Sequence, residues 1–267
     1  MMEGFVHKDS IVREIWGKSD TILLIFAGAA AEFALNKAVD WLYFTGRLPA
    51  DPLGRLFSTV SYARKIVFSD ERSAHKAIDS ITAIHRGVEQ ARGAKIPDWA
   101  YRDVLFMLID YSIRSFELLE HKLSDDEKAE VFDVFNRVGH RMNLVGLPEN
   151  FNTWQTMRQN HMQNDLQYGV YTIDLFRQYR KHLGAIRYRI LLESQALVVP
   201  DDIARLLKFR KTSLFAPLLR IYKISRPVGI GDLLKALLLP PKYQAEIRGL
   251  DIKSKKKAGR SGSKIDA

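Results

Sequence analysis

Apolar residues recur at helical spacing along most of this chain, and this periodicity constrains the fold more than any other feature of the sequence. The segment from Ser73 to Arg92 illustrates it, because its alanines, isoleucines and valine fall three and four residues apart and so line one face of a helix. Alternation of apolar and polar residues, which would indicate strands, is scarce. The sequence therefore predicts an all-α protein built as a single helical bundle.

Capping signals support several of the expected helices. Ser124 and Glu127 have the spacing of a capping box, and Pro200 is followed by two acidic residues that suit the positive end of a helix. We predict helices over residues 10–16, 19–44, 53–67, 73–90, 98–120, 124–144, 153–164, 172–182, 185–195 and 201–209.

The amino-acid composition excludes several classes of cofactor and metal site. The chain of 267 residues is 46% hydrophobic, enough for one sizeable core, and it contains no cysteine. The lack of cysteine excludes disulfides, thiolate-bound haem, iron–sulfur clusters and cysteine-based zinc sites. Histidine is therefore the strongest metal ligand that this sequence offers. Nothing resembles a phosphate-binding loop, a zinc-protease helix or a nucleophile elbow.

The net charge of +10 is concentrated at one end of the sequence. Residues 205–267 hold sixteen Lys and Arg against four acids, an excess of +12, so residues 1–204 are close to neutral. Two short leucine-rich segments lie in the same region, at 214–222 and 233–239. The basic excess and the leucine-rich segments together predict that this region binds an anionic membrane surface. They fit a nucleic-acid partner poorly. A basic tail that is only solvated is the alternative.

We divide the chain into a helical domain at 1–210, a basic amphipathic extension at 211–252 and a disordered basic tail at 253–267. No secretory signal is readable near the start. The apolar run at 21–35 is interrupted by Glu32 and is too short to span a bilayer. We therefore expect a cytoplasmic protein that associates peripherally with a membrane.

His85 is the candidate metal ligand. It lies on the apolar stripe of the segment from Ser73 to Arg92, where a polar ring needs a partner for its nitrogens. A neutral imidazole facing an apolar cavity is a common ligand of a metal or of haem iron. A core histidine satisfied by a backbone carbonyl is the alternative, and His140 and His161 are further imidazoles that no motif singles out.

The residues before His85 form a recognisable string. It opens with a D-P-x-x-R-L-x-x-T pattern that contains Arg55 and Thr59, continues through a turn at Phe68, and ends in H-x-x-V at His85 and Val88. In these residues the chain resembles the catalytic domain shared by the MpaB oxygenases of mycophenolic acid biosynthesis and the latex-clearing rubber oxygenases. The resemblance extends less specifically over residues 9–154, through the apolar segment that contains Asp110.

The resemblance implies a globin-like helical core around haem b, with His85 as the proximal iron ligand. It implies that Arg55 holds a haem propionate or orders the pocket and that Thr59 donates a hydrogen bond toward dioxygen. Ser58 stands where the rubber oxygenases carry a lysine on the distal side, which implies an open or water-filled sixth position. Residues 37–39 likewise lack the histidine and proline that are frequent in the family.

Arg55, Thr59 and Asp110 can also be interpreted as structural residues. Arg55 and Thr59 share a helix face, and the pair could also be a surface arginine with a threonine bonded back to its own helix. Asp110 is expected to support the pocket by bonding Arg55 or the free nitrogen of His85. Its alternative is a structural ion pair with Arg114 or another basic residue.

The function implied is that of a haem-dependent oxygenase that uses dioxygen on a lipophilic, unsaturated, isoprenoid-like substrate. The second hypothesis is a helical protein that binds haem or lipid without turnover, located peripherally on a membrane. The two classes share His85 and the apolar pocket and differ in whether substrate is consumed.

Overall fold

The structure, a computed structural model, describes residues 4–210, 213–217, 219 and 222. Within this part the chain forms α-helices with no β-strand, and two isolated bridges join separate segments. The prediction of an all-α bundle is confirmed. The helices are α1 (Ile11–Trp16), α2 (Ser19–Phe33), α3 (Asp40–Phe44), α4 (Arg47–Ala50), α5 (Pro52–Phe68), α6 (Glu71–Arg92), α7 (Asp98–Leu119), α8 (Asp125–Arg141), α9 (Phe151–Asn164), α10 (Val170–Val198) and α11 (Asp201–Leu206).

The helix expected over 19–44 is two helices, so that prediction is wrong. Helix α2 ends at Phe33 because the backbone of the next residues bonds to the segment after α9 instead of continuing its own ladder. The carbonyl of Leu35 accepts from the amide of Gln167 at 2.7 Å, and the amide of Lys37 donates to the carbonyl of Asp165 at 2.9 Å. The Asn36 side chain accepts from the Ala38 amide at 2.8 Å and stabilises the turn.

A break in the longest helix was expected and is present. Residues 172–182 and 185–195 were predicted as separate helices, and α10 contains a kink at Gly184, whose φ of 74° and ψ of 169° lie outside the helical region. A left-handed φ costs glycine little because it has no Cβ. The sequence break and the observed kink therefore coincide.

Helices α2 and α7 form the centre of the bundle, and α1, α8, α9 and α10 pack around them. The core between them is aromatic: Trp16, Phe106, Tyr111 and Phe116 are all essentially inaccessible. The indole of Trp16 donates to the Ser112 hydroxyl at 3.2 Å, which satisfies its one polar atom. Helices α5 and α6 pack on each other beside this centre and carry the residues singled out in the sequence.

Most of the proposed extension at 211–252 and all of the tail at 253–267 lie outside the described residues. Where the extension is described, it contacts the bundle. The Ser213 hydroxyl donates to the Glu193 carboxylate at 3.0 Å, and the Tyr222 hydroxyl donates to Asp20 at 2.9 Å. Among the helices described, none combines the length and hydropathy that crossing a membrane requires.

The close approach of α2 to α7 generates a prediction. A Cβ at Gly28 would overlap the ring of Tyr111, whereas a Cβ at Gly87 on α6 meets nothing within 4 Å. We expect Gly28→Ala to lower the free energy of unfolding by about 1–3 kcal/mol through overpacking. The matched change Gly87→Ala should be neutral or stabilising by up to about 1 kcal/mol. Denaturant unfolding of both variants measures this, and equal stabilities would contradict the packing argument.

Candidate functional site

His85 lies on α6, where its ring meets the ring of Tyr101 from α7 edge-on, with centroids 5.2 Å apart. Its Nδ1 atom is buried and has no hydrogen-bond partner among the described residues. Burial and the nearby Arg55 guanidinium lower the pKa of His85, against a smaller opposing effect of Glu89. The imidazole is therefore neutral at pH 7, which is the form that binds a metal.

Arg55 on α5 lies close enough to His85 for its charge to lower the pKa of the imidazole, so the structure brings together two of the residues predicted from the sequence. Burial, with the charge of Arg47 added, lowers the pKa of Arg55. Within the described part of the chain no carboxylate forms an ion pair with this guanidinium. A partly buried cation without a counter-charge is costly, so the site favours an anionic ligand.

Ser58 and Thr59 are the two other residues of α5 that the sequence predicts for the site. Asp51 caps the helix by accepting from the Gly54 amide at 3.0 Å, and Pro52 begins it. About two turns further, the Thr59 hydroxyl donates to the carbonyl of Arg55 at 3.2 Å, the helix-bonded arrangement weighed as the alternative. Ser58 is exposed on the helix surface. The roles of Thr59 and Ser58 stay predictions.

Sequence reasoning missed the neighbours that hold the His85 ring. The Tyr101 hydroxyl donates to Glu89 at 3.2 Å, and Glu89 also accepts from the amide of Ile96 at 2.9 Å. Burial and Glu89 raise the pKa of Tyr101, so its hydroxyl stays protonated and donates. The signal available in the sequence was the position of Glu89 one helical turn after His85.

Asp110 is buried on α7 but does not take part in the His85 site. Its carboxylate accepts from Arg114 at 2.8 Å and from Arg158 of α9 at 2.9 Å. These contacts correspond to the structural ion pair that was the alternative for this residue. They also place Asp110 in a larger group of buried ionisable residues.

We call this group the buried charge cluster: Glu32 from α2, Asp103 and Asp110 from α7, and Arg158 and His161 from α9. The guanidinium of Arg158 binds both carboxylate oxygens of Glu32, which is completely inaccessible. The hydroxyl of Tyr111 donates to the same carboxylate at 2.9 Å. Burial raises the pKa of Glu32, but Arg158 and His161 outweigh it and lower the pKa to about 2.

His161 is enclosed by carboxylates. Its Nε2 lies 2.9 Å from Glu32 and its Nδ1 lies 2.8 Å from Asp103, whose carboxylate also accepts from Asn36 at 3.2 Å. Burial lowers the pKa of His161, but the carboxylates of Asp103 and Glu32 outweigh it and raise the pKa to about 9. The spacing of Arg158 and His161, three residues apart, was the signal that these two side chains share a helix face.

The cluster generates a pH prediction. The lowered pKa of Glu32 contributes stability that is complete above about pH 4.5 and is lost as the pH falls toward 2. The raised pKa of His161 contributes stability that is complete below about pH 6.5 and is lost as the pH rises toward 9. We therefore expect the cluster to stabilise most between pH 4.5 and 6.5, with a loss on the order of 3 kcal/mol on the acid side.

Thermal unfolding from pH 2 to 10 tests this. Glu32→Gln should lower stability by about 3–5 kcal/mol at pH 5.5, because it leaves Arg158 buried without its main counter-charge, and it should flatten the acid limb. Asp133→Asn removes a matched carboxylate from an exposed pair with Arg137 and should change stability by less than about 1 kcal/mol. An acid limb as steep in Glu32→Gln as in the unmodified protein would refute the assignment.

Comparison with protein families matches residues 16–226 to one family, described as the catalytic domain of the ER-bound oxygenase mpaB/B' and rubber oxygenase. The match begins at the end of α1, contains helices α2 to α11, and so includes both the His85 site and the buried charge cluster. Neither a curated protein nor a solved structure matches the chain. Because the family match covers most of its length, the chain belongs to the mpaB/rubber oxygenase catalytic domain family.

Proposed function

We propose that this protein is a haem b-dependent oxygenase in which His85 binds the iron as proximal ligand. Membership in a family of oxygenase catalytic domains supports the reaction class. The observation that supports the finer proposal is a neutral imidazole with an inaccessible Nδ1, close to the Arg55 guanidinium, for which the described residues offer no ion-pair partner. Either feature alone would be costly to maintain in a folded protein without a ligand.

The residues present fit haem by their chemistry. A neutral imidazole is a common protein ligand of haem iron when cysteine is absent, and a guanidinium suits a propionate carboxylate. Apolar side chains adjoin the site, since Ile81 and Val88 share a helix face with His85, and Val104 lies one turn from Tyr101 with 40% of its surface exposed. This combination suits a planar, largely apolar group with carboxylates at one edge.

When bound, haem would supply an iron centre that activates dioxygen for oxygenation or cleavage of a carbon–carbon double bond. The residues of this chain would hold and orient it. His85 would supply a neutral nitrogen, Tyr101 would restrict rotation of its ring, and Arg55 would bind a propionate. Ser58 has no strong ligand atom to offer on the distal side. Thr59 could donate toward a ligand only by releasing the Arg55 carbonyl that it bonds.

The proposed substrate is lipophilic and unsaturated, of isoprenoid type. The family description supports an organic substrate oxidised with dioxygen, and the exposed apolar side chains beside His85 support a nonpolar one. The rival hypothesis, a protein that binds haem or lipid without turnover, differs in one observable. Oxygen uptake by the haem-loaded protein, measured with an unsaturated isoprenoid, supports the oxygenase. Haem binding without any uptake supports the rival.

The haem proposal predicts that the loss of one histidine, His85, abolishes haem binding. His85→Ala should remain folded by circular dichroism but retain little haem after reconstitution, because the iron loses its protein ligand. His75→Ala is the matched control, since His75 lies on the same helix about 15 Å away along the axis and is partly exposed. It should keep an unchanged Soret band. A normal iron-ligand spectrum in His85→Ala, or no haem uptake by the unmodified chain, would remove the proposal.

We also propose that the basic end of the chain binds an anionic membrane surface. The +12 excess of residues 205–267 supports this, as does Leu214, which is 56% exposed although the neighbouring Ser213 is buried. Cations near anionic headgroups contribute about 1 kcal/mol each. The family includes an ER-bound oxygenase, which is consistent with a membrane location.

Flotation with phosphatidylserine-containing vesicles tests the membrane proposal. A chain that ends at Tyr222 is the informative variant, because it keeps the contacts of Ser213 and Tyr222 with the bundle and loses most of the cations. We expect the full chain to float at low salt and not at high salt, because the attraction is screened. The shortened chain should stay in solution under both conditions. Equal flotation of both chains would refute the role of the basic end.

A further inference from the structure

Three potential ligand atoms for a metal converge at the end of the buried charge cluster nearest the solvent. The Nδ1 of His161 lies 2.8 Å from Asp103 Oδ2 and 3.5 Å from Asp165 Oδ2. His161 and Asp103 are buried, and the Asp165 side chain is 27% exposed. Together these residues offer one nitrogen and two carboxylate oxygens within 4.8 Å of one another.

Hydrogen bonding does not account for the nitrogen at the centre of this group. Although Asp103 is close, the ring N–H of His161 does not point to it well enough for a hydrogen bond, and Nδ1 has no hydrogen-bond partner among the described residues. The His161 side chain is only 2% exposed, so water does not satisfy the atom freely. An unsatisfied nitrogen buried beside two carboxylates is the arrangement expected where a cation belongs.

The local charges also favour a cation. Arg158 is engaged by Glu32 and Asp110. In the described part of the chain no lysine or arginine forms an ion pair with Asp103 or Asp165. Lys37 is near, but its ammonium donates to the backbone carbonyl of Asn164. Two carboxylates therefore share one imidazole without a fixed positive charge from another side chain.

We propose that His161, Asp103 and Asp165 bind a divalent first-row metal ion, best represented by Zn²⁺, and that the ion displaces the proton which the carboxylates otherwise hold on Nδ1 of His161. Two ligands that are each about 2.1 Å from a metal lie roughly 3.0–3.4 Å apart in octahedral or tetrahedral geometry, and the two distances from Nδ1, 2.8 and 3.5 Å, lie close to this range. One imidazole with two carboxylates suits Zn²⁺ better than Mg²⁺ or Ca²⁺, which prefer oxygen alone. Solvent at Asp165 completes the coordination and provides the entry path.

The surroundings fit this assignment. Glu32 contacts the other ring nitrogen of His161 at 2.9 Å, and a carboxylate in that position commonly orients a metal-bound imidazole. Asn36 donates to Asp103, and the backbone of Lys37 bonds that of Asp165. The ion would thus join the turn after α2 to α7 and to the end of α9. Its role is to stabilise this junction, and the site shares no residue with the His85 site.

Zinc binding to the full chain tests the proposal. After removal of metals with a chelator, the protein is titrated with Zn²⁺ by calorimetry, and bound zinc is counted by elemental analysis, which separates it from haem iron. We expect one Zn²⁺ per chain and a higher unfolding temperature in its presence, whereas Mg²⁺ should have no effect. The outcome does not depend on haem, so a failure of the His85 proposal would leave the result readable.

Asp165→Asn is the decisive variant, because this partly exposed residue lies outside the Glu32–Arg158 pair and its loss should leave the fold intact. We expect it to weaken zinc binding at least about tenfold and to abolish the zinc-dependent rise in unfolding temperature. Asp133→Asn is the control and should bind zinc as the unmodified chain does. No bound zinc, or equal affinity in Asp165→Asn, would overturn the proposal and leave His161 as an imidazolium held by its carboxylates.

Discussion

The ion pair between Glu32 and Arg158 is the interaction on which the arrangement of the bundle depends. Both side chains are withdrawn from water, so each must be neutralised by the other or by a group equally buried. Arg158 also binds Asp110, and Glu32 also contacts Tyr111 and His161. These contacts fix helices α2, α7 and α9 in one relative position, because a displacement of any of them would leave a buried charge without its counter-charge.

The two sites described here use this framework in different ways. Helix α7 contributes Asp103 and Asp110 to the buried charge cluster and presents Tyr101, two residues before Asp103, to His85. The same rigid helix therefore supports both the ring that faces His85 and the carboxylates around His161. Glu32, Arg158 and Asp110 each have an opposite charge within reach, whereas among the described residues Arg55 forms no ion pair and Nδ1 of His85 forms no hydrogen bond. The fully paired charges hold the fold, whereas the groups without such partners suit a ligand.

Much of the fold could be predicted from the sequence because it depends on local periodicity. The helices expected at 53–67, 73–90 and 98–120 appear as α5, α6 and α7, and the break near Gly184 was also expected. The end of α2 at Phe33 was missed because it is set by bonds to residues about 130 positions away. The association of Arg55 with His85 was predicted only through the family string, since no spacing rule connects two residues on different helices.

The sequence by itself determined which segments are helical, which face of each is apolar, and that histidine is the strongest metal ligand available in a chain without cysteine. Only the tertiary structure decided how the charges are paired. In the sequence, Glu32, Asp103 and His161 each appear as an isolated polar residue in its own segment. They pair in the structure because an unpaired charge is costly in an interior of low dielectric constant. Periodicity is a property of one helix, whereas ion pairing and ligand geometry are properties of the distances between helices.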